Sequence, residues 1–512
     1  MPATEPKYHN MSDLPWVVQK FGGTSVGKFL DNIANQVVKE YVKQNRLVVV
    51  CSARSGENKQ NGTTNRLIRA ATYALKPGCN DYLQVLDDIL NDHLQVANDL
   101  IKDETIKNEL ISDIKHDCTK LKSFLEAAQI INEISPRSRD IIIGAGEKLS
   151  CRIVTAVLRD RDVDAEFVSL DNIIDREFEV LDQSFYDYLA KKMADAVLRC
   201  GNKVPVVTGF FGIVPGSLLN TVGRGYTDLC AALTAVGLGA EELQIWKEVD
   251  GIFTADPRKV KSARLLPIIT PEEAAELTYY GSEVIHPFTM EQVIRSHIPI
   301  RIKNVENPRG QGTVVFPTDI VNKDGTATPP HSPKVLAENG YSLDLTRKYP
   351  TAVTIKDGVI VLNVHSNRKS VSHGFFAKIF STLDRYGVVV DLISTSEVHV
   401  SMALGVDSSD KDLERVIEGL RTVGVVDVLK NMAILSLVGK QMKNMVGIAG
   451  MMFTTLASAG VNIEMISQGA SEINISCVIE ESCAVTAMNV IHDQLLSKKS
   501  KLILPTLKNA LD

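Results

Sequence analysis

From Trp16 to about Arg301 the chain repeats one hydrophobic pattern: a short apolar run rich in β-branched residues, a small or glycine-rich turn, then apolar positions three and four apart. WVVQKFGG from Trp16, LVVVCSA from Leu47, VPVVTGFFG from Val204 and IPIRI from Ile298 are such runs. A strand that is apolar at successive positions is buried on both faces, the condition of a parallel sheet with helices on either side. The pattern predicts an α/β unit. Between residues 80 and 135 it changes: DYLQVLDDILNDHLQVANDLIKDE is charged, strand-poor and apolar at helical spacing. That predicts a helical insertion, either a cap over a site or plain surface helices.

The α/β unit should span 14–316. PTDIVNKDGTATPPHSPK, from Pro317 to Lys334, crowds Pro, Gly, Thr and Asp without periodicity and reads as the start of a linker over 317–350. Beyond it the chain repeats itself. FSTLDRYGVVVDLIS, Phe380 to Ser394, aligns without gaps on FTTLASAGVNIEMIS, Phe453 to Ser467, at an offset of 73 residues, and SEVHVSM matches SEINISC after a two-residue insertion. Each copy reads as a helix ending at a glycine, Gly387 or Gly460, then a strand, a turn and a strand. Two βαββαβ modules follow, at 351–428 and 429–500.

Composition narrows the function. Of 512 residues 44% are hydrophobic and 23% charged, with a net charge of −6, which leaves no polyelectrolyte signal and argues against nucleic acid as a partner. MPATEPKYHNMSDLP at the start lacks the apolar core of a signal peptide, and no stretch approaches the roughly 18 apolar residues of a membrane span. A cytoplasmic protein without a membrane association is expected. Eight cysteines without a CxxC pair read as reduced, mostly buried thiols, and ten histidines without HExxH give no protein-held metal site. A metal arriving with a nucleotide stays open.

The chemistry starts at FGGTSVGKF, Phe21 to Phe29. Gly22, Gly27 and Lys28 keep the G-x-x-x-x-G-K spacing of a P-loop, but Phe29 stands where a Ser or Thr should hold magnesium. Gly22 and Gly23 after a strand let backbone amides approach an anion, and Lys20, one residue inside the strand, can lay its ammonium across a transferring phosphoryl group. Taken alone, the loop is better read as a tight strand-to-helix turn. Three further transitions carry polar groups: Ser52 and Arg54 with Thr63, Thr64 and Asn65; GAGEKLS with Glu147; and TGFFG followed by VGRGYTDLCAA with Arg224, Thr227 and Asp228. Turns at the carboxyl ends of parallel strands gather into one ligand site. There Arg224 can fork onto a carboxylate, Glu147 can receive an ammonium and Asp228 can orient a lysine, which is what a small amino acid needs. Against this stand a surface ion pair for Arg224 and an N-cap for Asp228. His286 before Pro287 marks a helix boundary and reads as structural.

With these residues assembled, the chain resembles the aspartate kinases of the amino-acid kinase superfamily. KFGGTSV from Lys20, GAGE from Gly144, GRGYTDLCAA from Gly223 and VDGIFTADPR from Val249 carry the resemblance over nearly the whole length, with details closest to the fungal branch and with repeats similar to ACT domains. It implies a three-layer α/β/α catalytic fold that transfers the γ-phosphoryl group of ATP, supplied with Mg2+ and without a tightly bound cofactor, to the side-chain carboxylate of L-aspartate. The product would be 4-phospho-L-aspartate, the entry to threonine and methionine synthesis. Lys20 and Asp228 match the catalytic pair. Ser52, Thr64, Glu147, Phe210, Arg224 and Thr227 would bind aspartate, and Gly22, Gly23, Lys247, Glu248, Phe253 and Arg258 the nucleotide. His373, Gly374, Asp391, Thr395, Ser396 and Glu397 would line an effector site for threonine, which the sequence does not separate from lysine. A homo-oligomer, at least a dimer through the ACT-like modules, is implied too. A kinase for another amino acid and a silent amino-acid sensor are the alternatives; retention of Lys20, Glu147, Arg224 and Asp228 opposes the second.

Overall fold

The computed structural model describes residues 7–56, 61–214, 217–279, 285–315, 320–321, 327–328, 349–366, 374–396, 398–405, 410–440, 442, 445–469 and 473–497. The chain clusters into two compact units, one built on Met1–Ile252, Pro267–Pro271 and Ile285–Asn339, the other on Phe253–Leu266, Glu272–Val284 and Gly340–Asp512.

The first unit is organised by an eight-stranded sheet: β1 (Trp16–Phe21), β2 (Arg46–Cys51), β3 (Ala165–Val168), β4 (Val204–Thr208), β5 (Glu242–Lys247), β6 (Ile268–Ile269), β7 (Ile300–Asn304) and β8 (Thr313–Val315). Their order is β3-β4-β2-β1-β5-β7-β8-β6, parallel throughout except where β8 runs against β7. Every residue of β1 and β4 is buried, as their unbroken apolar runs predict. One face packs on α1 (Gly23–Lys28), the helical residues 30–41, α2 (Thr63–Ala74) and α5 (Pro136–Asp160). The insertion predicted at 80–135 is a pair of helices, α3 (Asp81–Leu100) and α4 (Glu104–Ile131), packed on this layer through Leu86, Ile89, Ile114 and Leu125. Arg152 on α5 donates to Asp117 at 2.6 Å and also pairs with Asp113, so α4 is tied down by charge as well as burial. On the other face lie α6 (Gln183–Leu198) and α8 (Tyr226–Leu238), with the short α7 (Leu218–Thr221) leading toward α8. α8 is almost all apolar and sits directly on β1 and β5.

The second unit carries α9 (Pro271–Tyr279), all but its first residue; α10 (Pro287–Arg295) returns to the first, with His286 in extended backbone as its N-cap. Residues 320–321 and 327–328, β9 and β10, pair antiparallel, and the rest of the linker expected at 317–350 falls largely outside the described residues.

The repeats form one antiparallel sheet in the order β12-β13-β11-β14-β16-β15, made of β11 (Ala352–Ser366), β12 (Leu392–Thr395), β13 (His399–Gly405), β14 (Gly424–Val438), β15 (Met465–Ser467) and β16 (Asn474–Glu480). β11 and β14 are each 15 residues long and pair with each other from end to end. The far half of β11, from Val359, joins β13, while the near half pairs with β14 from Ile434, whose other edge pairs with β16. The two repeats therefore share strands, and the boundary expected between 428 and 429 falls inside β14. Helices α11 (Phe375–Arg385) and α12 (Asp410–Arg421) cover the first repeat; α13 (Ile448–Ser458) and α14 (Ala484–Ile491) cover the second. Gly387 and Gly460 follow α11 and α13 with φ of 63° and 71°, the left-handed turn expected at both helix ends.

Residues 253–266 are built into this unit. Val353 N–H donates to Thr254 O, Ala255 and Val260 join the apolar core of the second repeat, and buried His492 lies 2.8 Å from Thr254 Oγ1 and 3.1 Å from Ser262 Oγ.

Candidate active site

β1 ends at Phe21, and Lys20 Nζ stands 2.6 Å from Asp228 Oδ1, both side chains largely buried. Asp228 is the third residue of α8, whose N-cap is Gly225. The capping alternative for Asp228 is thereby set aside in favour of the lysine partner.

The glycine turn does two jobs. A Cβ on Gly23 would lie 2.3 Å from Ala53 O and one on Gly27 1.8 Å from Ser55 O, so both glycines let α1 press on the turn after β2. Gly22 borders Lys20 Nζ instead, at 4.0 Å from a built Cβ. The P-loop spacing of Gly27 and Lys28 is thus a packing feature. Ser25 donates to Glu248 Oε1 at 2.7 Å, which fixes the segment after β5 against α1, and Lys247 ends β5 beside it.

A second polar chain crosses the same strand ends. Ser52 Oγ donates to Thr227 Oγ1 at 2.9 Å, and Thr227 Oγ1 donates to Glu147 Oε1 at 2.8 Å. Glu147 does not stand at a strand end, as GAGEKLS suggested, but in the middle of α5. Glycine is read as a turn residue in sequence; here it permits contact. A Cβ on Gly144 would lie 2.6 Å from the Phe210 ring, and one on Gly146 would crowd Leu67, Ala53 and Thr63 at 3.0 to 3.1 Å. Gly209 leaves room for Thr227 in the same way.

Burial pushes the Glu147 carboxyl up to about 7, against the hydrogen bond from Thr227, the neighbouring Tyr226 hydroxyl and Phe210 backbone, and the charge of Lys20. Its Oε2 is buried and, among the described residues, has no hydrogen-bond partner. An acceptor so placed is suited to a cation brought by a ligand. Tyr226 was not singled out in sequence although it sits between Arg224 and Thr227.

Lys20, Ser52, Glu147, Phe210, Thr227 and Asp228 thus gather at the carboxyl ends of β1, β2 and β4. Thr64 lies in the first turn of α2, next to Thr63, which packs on Gly146. Arg224 lies in the 3-10 turn Gly223–Gly225 that leads into α8. Phe253 and Arg258 belong to the second unit, where Phe253 bridges Leu265 and Arg258 forks onto Asp256 at 3.0 and 2.9 Å.

Of the effector candidates, His373 and Glu397 lie outside the described residues. Gly374, at φ 79°, is the N-cap of α11. Asp391 is committed to an internal partner: both its oxygens accept from Lys356 Nζ at 2.8 Å. Thr395 and Ser396 are exposed at the far end of β12, one strand length or about 13 Å from Asp391.

Residues 15–304 match the Amino acid kinase family and residues 435–495 the ACT domain. The chain is 60% identical over 483 residues to the aspartokinase of Schizosaccharomyces pombe, covering 94% of this chain and 93% of that one. With the aspartokinase of Saccharomyces cerevisiae it is 53% identical over 497 residues, 95% and 93% of the two chains. E. coli aspartokinase III in complex with lysine and aspartate superimposes with a TM-score of 0.74 at 29% identity, over 94% of this chain and 99% of that one. The same enzyme with aspartate and ADP gives 0.70, at 29% identity over 94% and 99%. The chain belongs to the amino acid kinase family and, within it, to the fungal-type aspartokinases.

Proposed function

We propose that this ATP-dependent aspartate kinase binds the ammonium of L-aspartate at Glu147, its α-carboxylate at Arg224, and presents the side-chain carboxylate to ATP beside Lys20. The buried, partnerless Oε2 of Glu147 is the observation that carries the reading. Ser52 and Thr227 orient Glu147 and border the substrate, Phe210 shapes the floor, and Thr64 reaches in from α2. A carboxylate oxygen of aspartate attacks the γ-phosphorus as the bond to the ADP oxygen breaks, and no proton has to move. Lys20 spreads positive charge over the transferring group while Asp228 holds it in place, which is the positioning and neutralisation that phosphoryl transfer requires.

Gly22, Gly23, Lys247 and Glu248 lie where β1 and β5 end and are assigned to the nucleotide; for Phe253 and Arg258 that role rests on the family motif. Mg2+ is assigned to the phosphates of ATP.

The ACT-bearing region is regulatory. The E. coli enzyme is seen in complex with lysine; for this chain threonine is proposed as the effector, on its fungal affinity, with Gly374, Asp391, Thr395 and Ser396 as its contacts. Two copies are proposed to associate through this region, whose edge strands β12 and β15 expose Ile393 and Ile466. No helix among the described residues is long and apolar enough to cross a membrane, and the enzyme is assigned to the cytosol.

Trapping the acyl phosphate with hydroxylamine tests substrate and effector together. ATP-dependent hydroxamate should form from aspartate and not from glutamate or acetylglutamate, and should fall on addition of threonine more than of lysine. Equal yields from glutamate would refute the substrate assignment, and a response to lysine alone would refute the effector.

A further inference from the structure

Asp140 lies on α5 seven residues before Glu147, and Gly144 stands between them. Seven residues are close to two helical turns, so all three share one face, with Asp140 about 10 Å along the axis from Glu147. That face meets the segment from β4 to α8 at three points: Glu147 on Thr227, Gly144 on the Phe210 ring, and Asp140 on residues 217–219.

The third contact is the most strongly built. Asp140 is only 2% exposed and accepts from Ser217 Oγ at 2.8 Å, Leu218 N–H at 2.6 Å and Leu219 N–H at 3.4 Å. Ser217 is buried as well and has φ 93° and ψ 131°, a conformation that side chains other than glycine adopt at a cost. Its carbonyl accepts from Thr221 N–H at 3.0 Å and Thr221 Oγ1 at 2.7 Å, so the strained residue opens α7, which runs directly into Gly223–Gly225. Charge-assisted bonds from one buried carboxylate offset the strain.

We propose that Asp140 is a positioning residue for aspartate binding: by clamping Ser217 it fixes the turn that carries Arg224 at a set distance from Glu147. The two ends of the aspartate backbone, carboxylate and ammonium, are then registered by one face of α5. A slip of this turn separates Arg224 from Glu147 and leaves Lys20 and Asp228, which hang on β1 and α8, in place. The inference rests on the assignment of Glu147 and Arg224 to aspartate.

The test compares Asp140→Asn, Ser217→Gly, the double variant and Glu147→Gln, with aspartate KM, ATP KM, kcat and melting temperature measured for each. Asparagine offers one acceptor oxygen where the donors need two, so Asp140→Asn should raise the aspartate KM about tenfold or more while the ATP KM changes less than about threefold. Glycine accepts the backbone conformation unaided, so Ser217→Gly should return part of that loss when added to Asp140→Asn. Parallel change in both KM values and kcat, or no return in the double variant, would reduce Asp140 to a purely structural role and overturn the proposal. An unchanged aspartate KM in Asp140→Asn alongside a large rise in Glu147→Gln would overturn it too, with the site reading intact. No rise in Glu147→Gln would remove the reading on which it stands.

Discussion

The two units present polar groups in opposite ways. In the first, the groups assigned to substrate and phosphoryl transfer are buried and already bonded to one another: Lys20 to Asp228, Ser52 to Thr227 to Glu147. In the second, Thr395 and Ser396 are exposed on a hairpin, while Asp391 is anchored on Lys356. The buried set can act with little rearrangement because its geometry is fixed before substrate arrives. On the proposed reading, the exposed set gains its partners from the effector, which is what a sensor requires if the ligand is to prefer one state of the protein.

Substitutions should separate the units accordingly. Lys20→Ala should lower kcat about a thousandfold or more with an unchanged circular dichroism spectrum; substantial remaining turnover would remove Lys20 from the transfer step. Glu147→Gln should raise the aspartate KM about a hundredfold. Its titration gives a second readout. Folding raises this carboxyl from its ordinary value of 4.5 to about 7, so its contribution to stability is present below about 4.5 and is lost as pH rises through 7. Ligand-free protein should therefore lose stability across that window, and Glu147→Gln should lose less.

In the second unit the effects should be smaller and should spare catalysis. Asp391→Ala removes the ion-pair partner seen on Lys356 and should cost about 1.5 to 3 kcal/mol in a melt, together with loss of feedback. Adding Lys356→Met should restore part of that stability. If feedback returns with it, Asp391 serves the fold; if it stays lost, Asp391 meets the effector. Thr395→Ala and Ser396→Ala should leave the melt nearly unchanged and shift the inhibition curve by about tenfold. An unshifted curve would move the effector site off this hairpin.

What could be read from sequence was local. The runs at Trp16, Leu47, Val204 and Ile298 are strands because burial on both faces demands unbroken apolar side chains, and the residues 80–135 are helical because their spacing is. The motifs single out Lys20, Glu147 and Asp228 as the charges that phosphoryl transfer and ammonium binding would need, and the fold brings all three to the same strand ends. In sequence Gly144 and Gly146 look like a turn around Glu147, whereas they admit Phe210 and Leu67 against a continuous helix. Nothing in the repeat period shows that β11 and β14 serve both copies, since strand sharing is decided by pairing between residues some 70 positions apart. The inclusion of 253–266 in the second unit was equally hidden: it depends on Ala255, Val260 and His492 meeting across the chain. Asp140 escaped notice because a carboxylate that caps a distant turn has no motif.

The most direct test is the proton balance of aspartate binding, measured by calorimetry in buffers of different ionisation enthalpy. If Glu147 receives the ammonium, its carboxyl must ionise on binding. Wild-type enzyme should then release most of a proton per aspartate at pH 6 and much less at pH 8, and Glu147→Gln should release none at either pH. Release that is equal in the two proteins, or absent from wild type at pH 6, would contradict the assignment of Glu147 to the substrate.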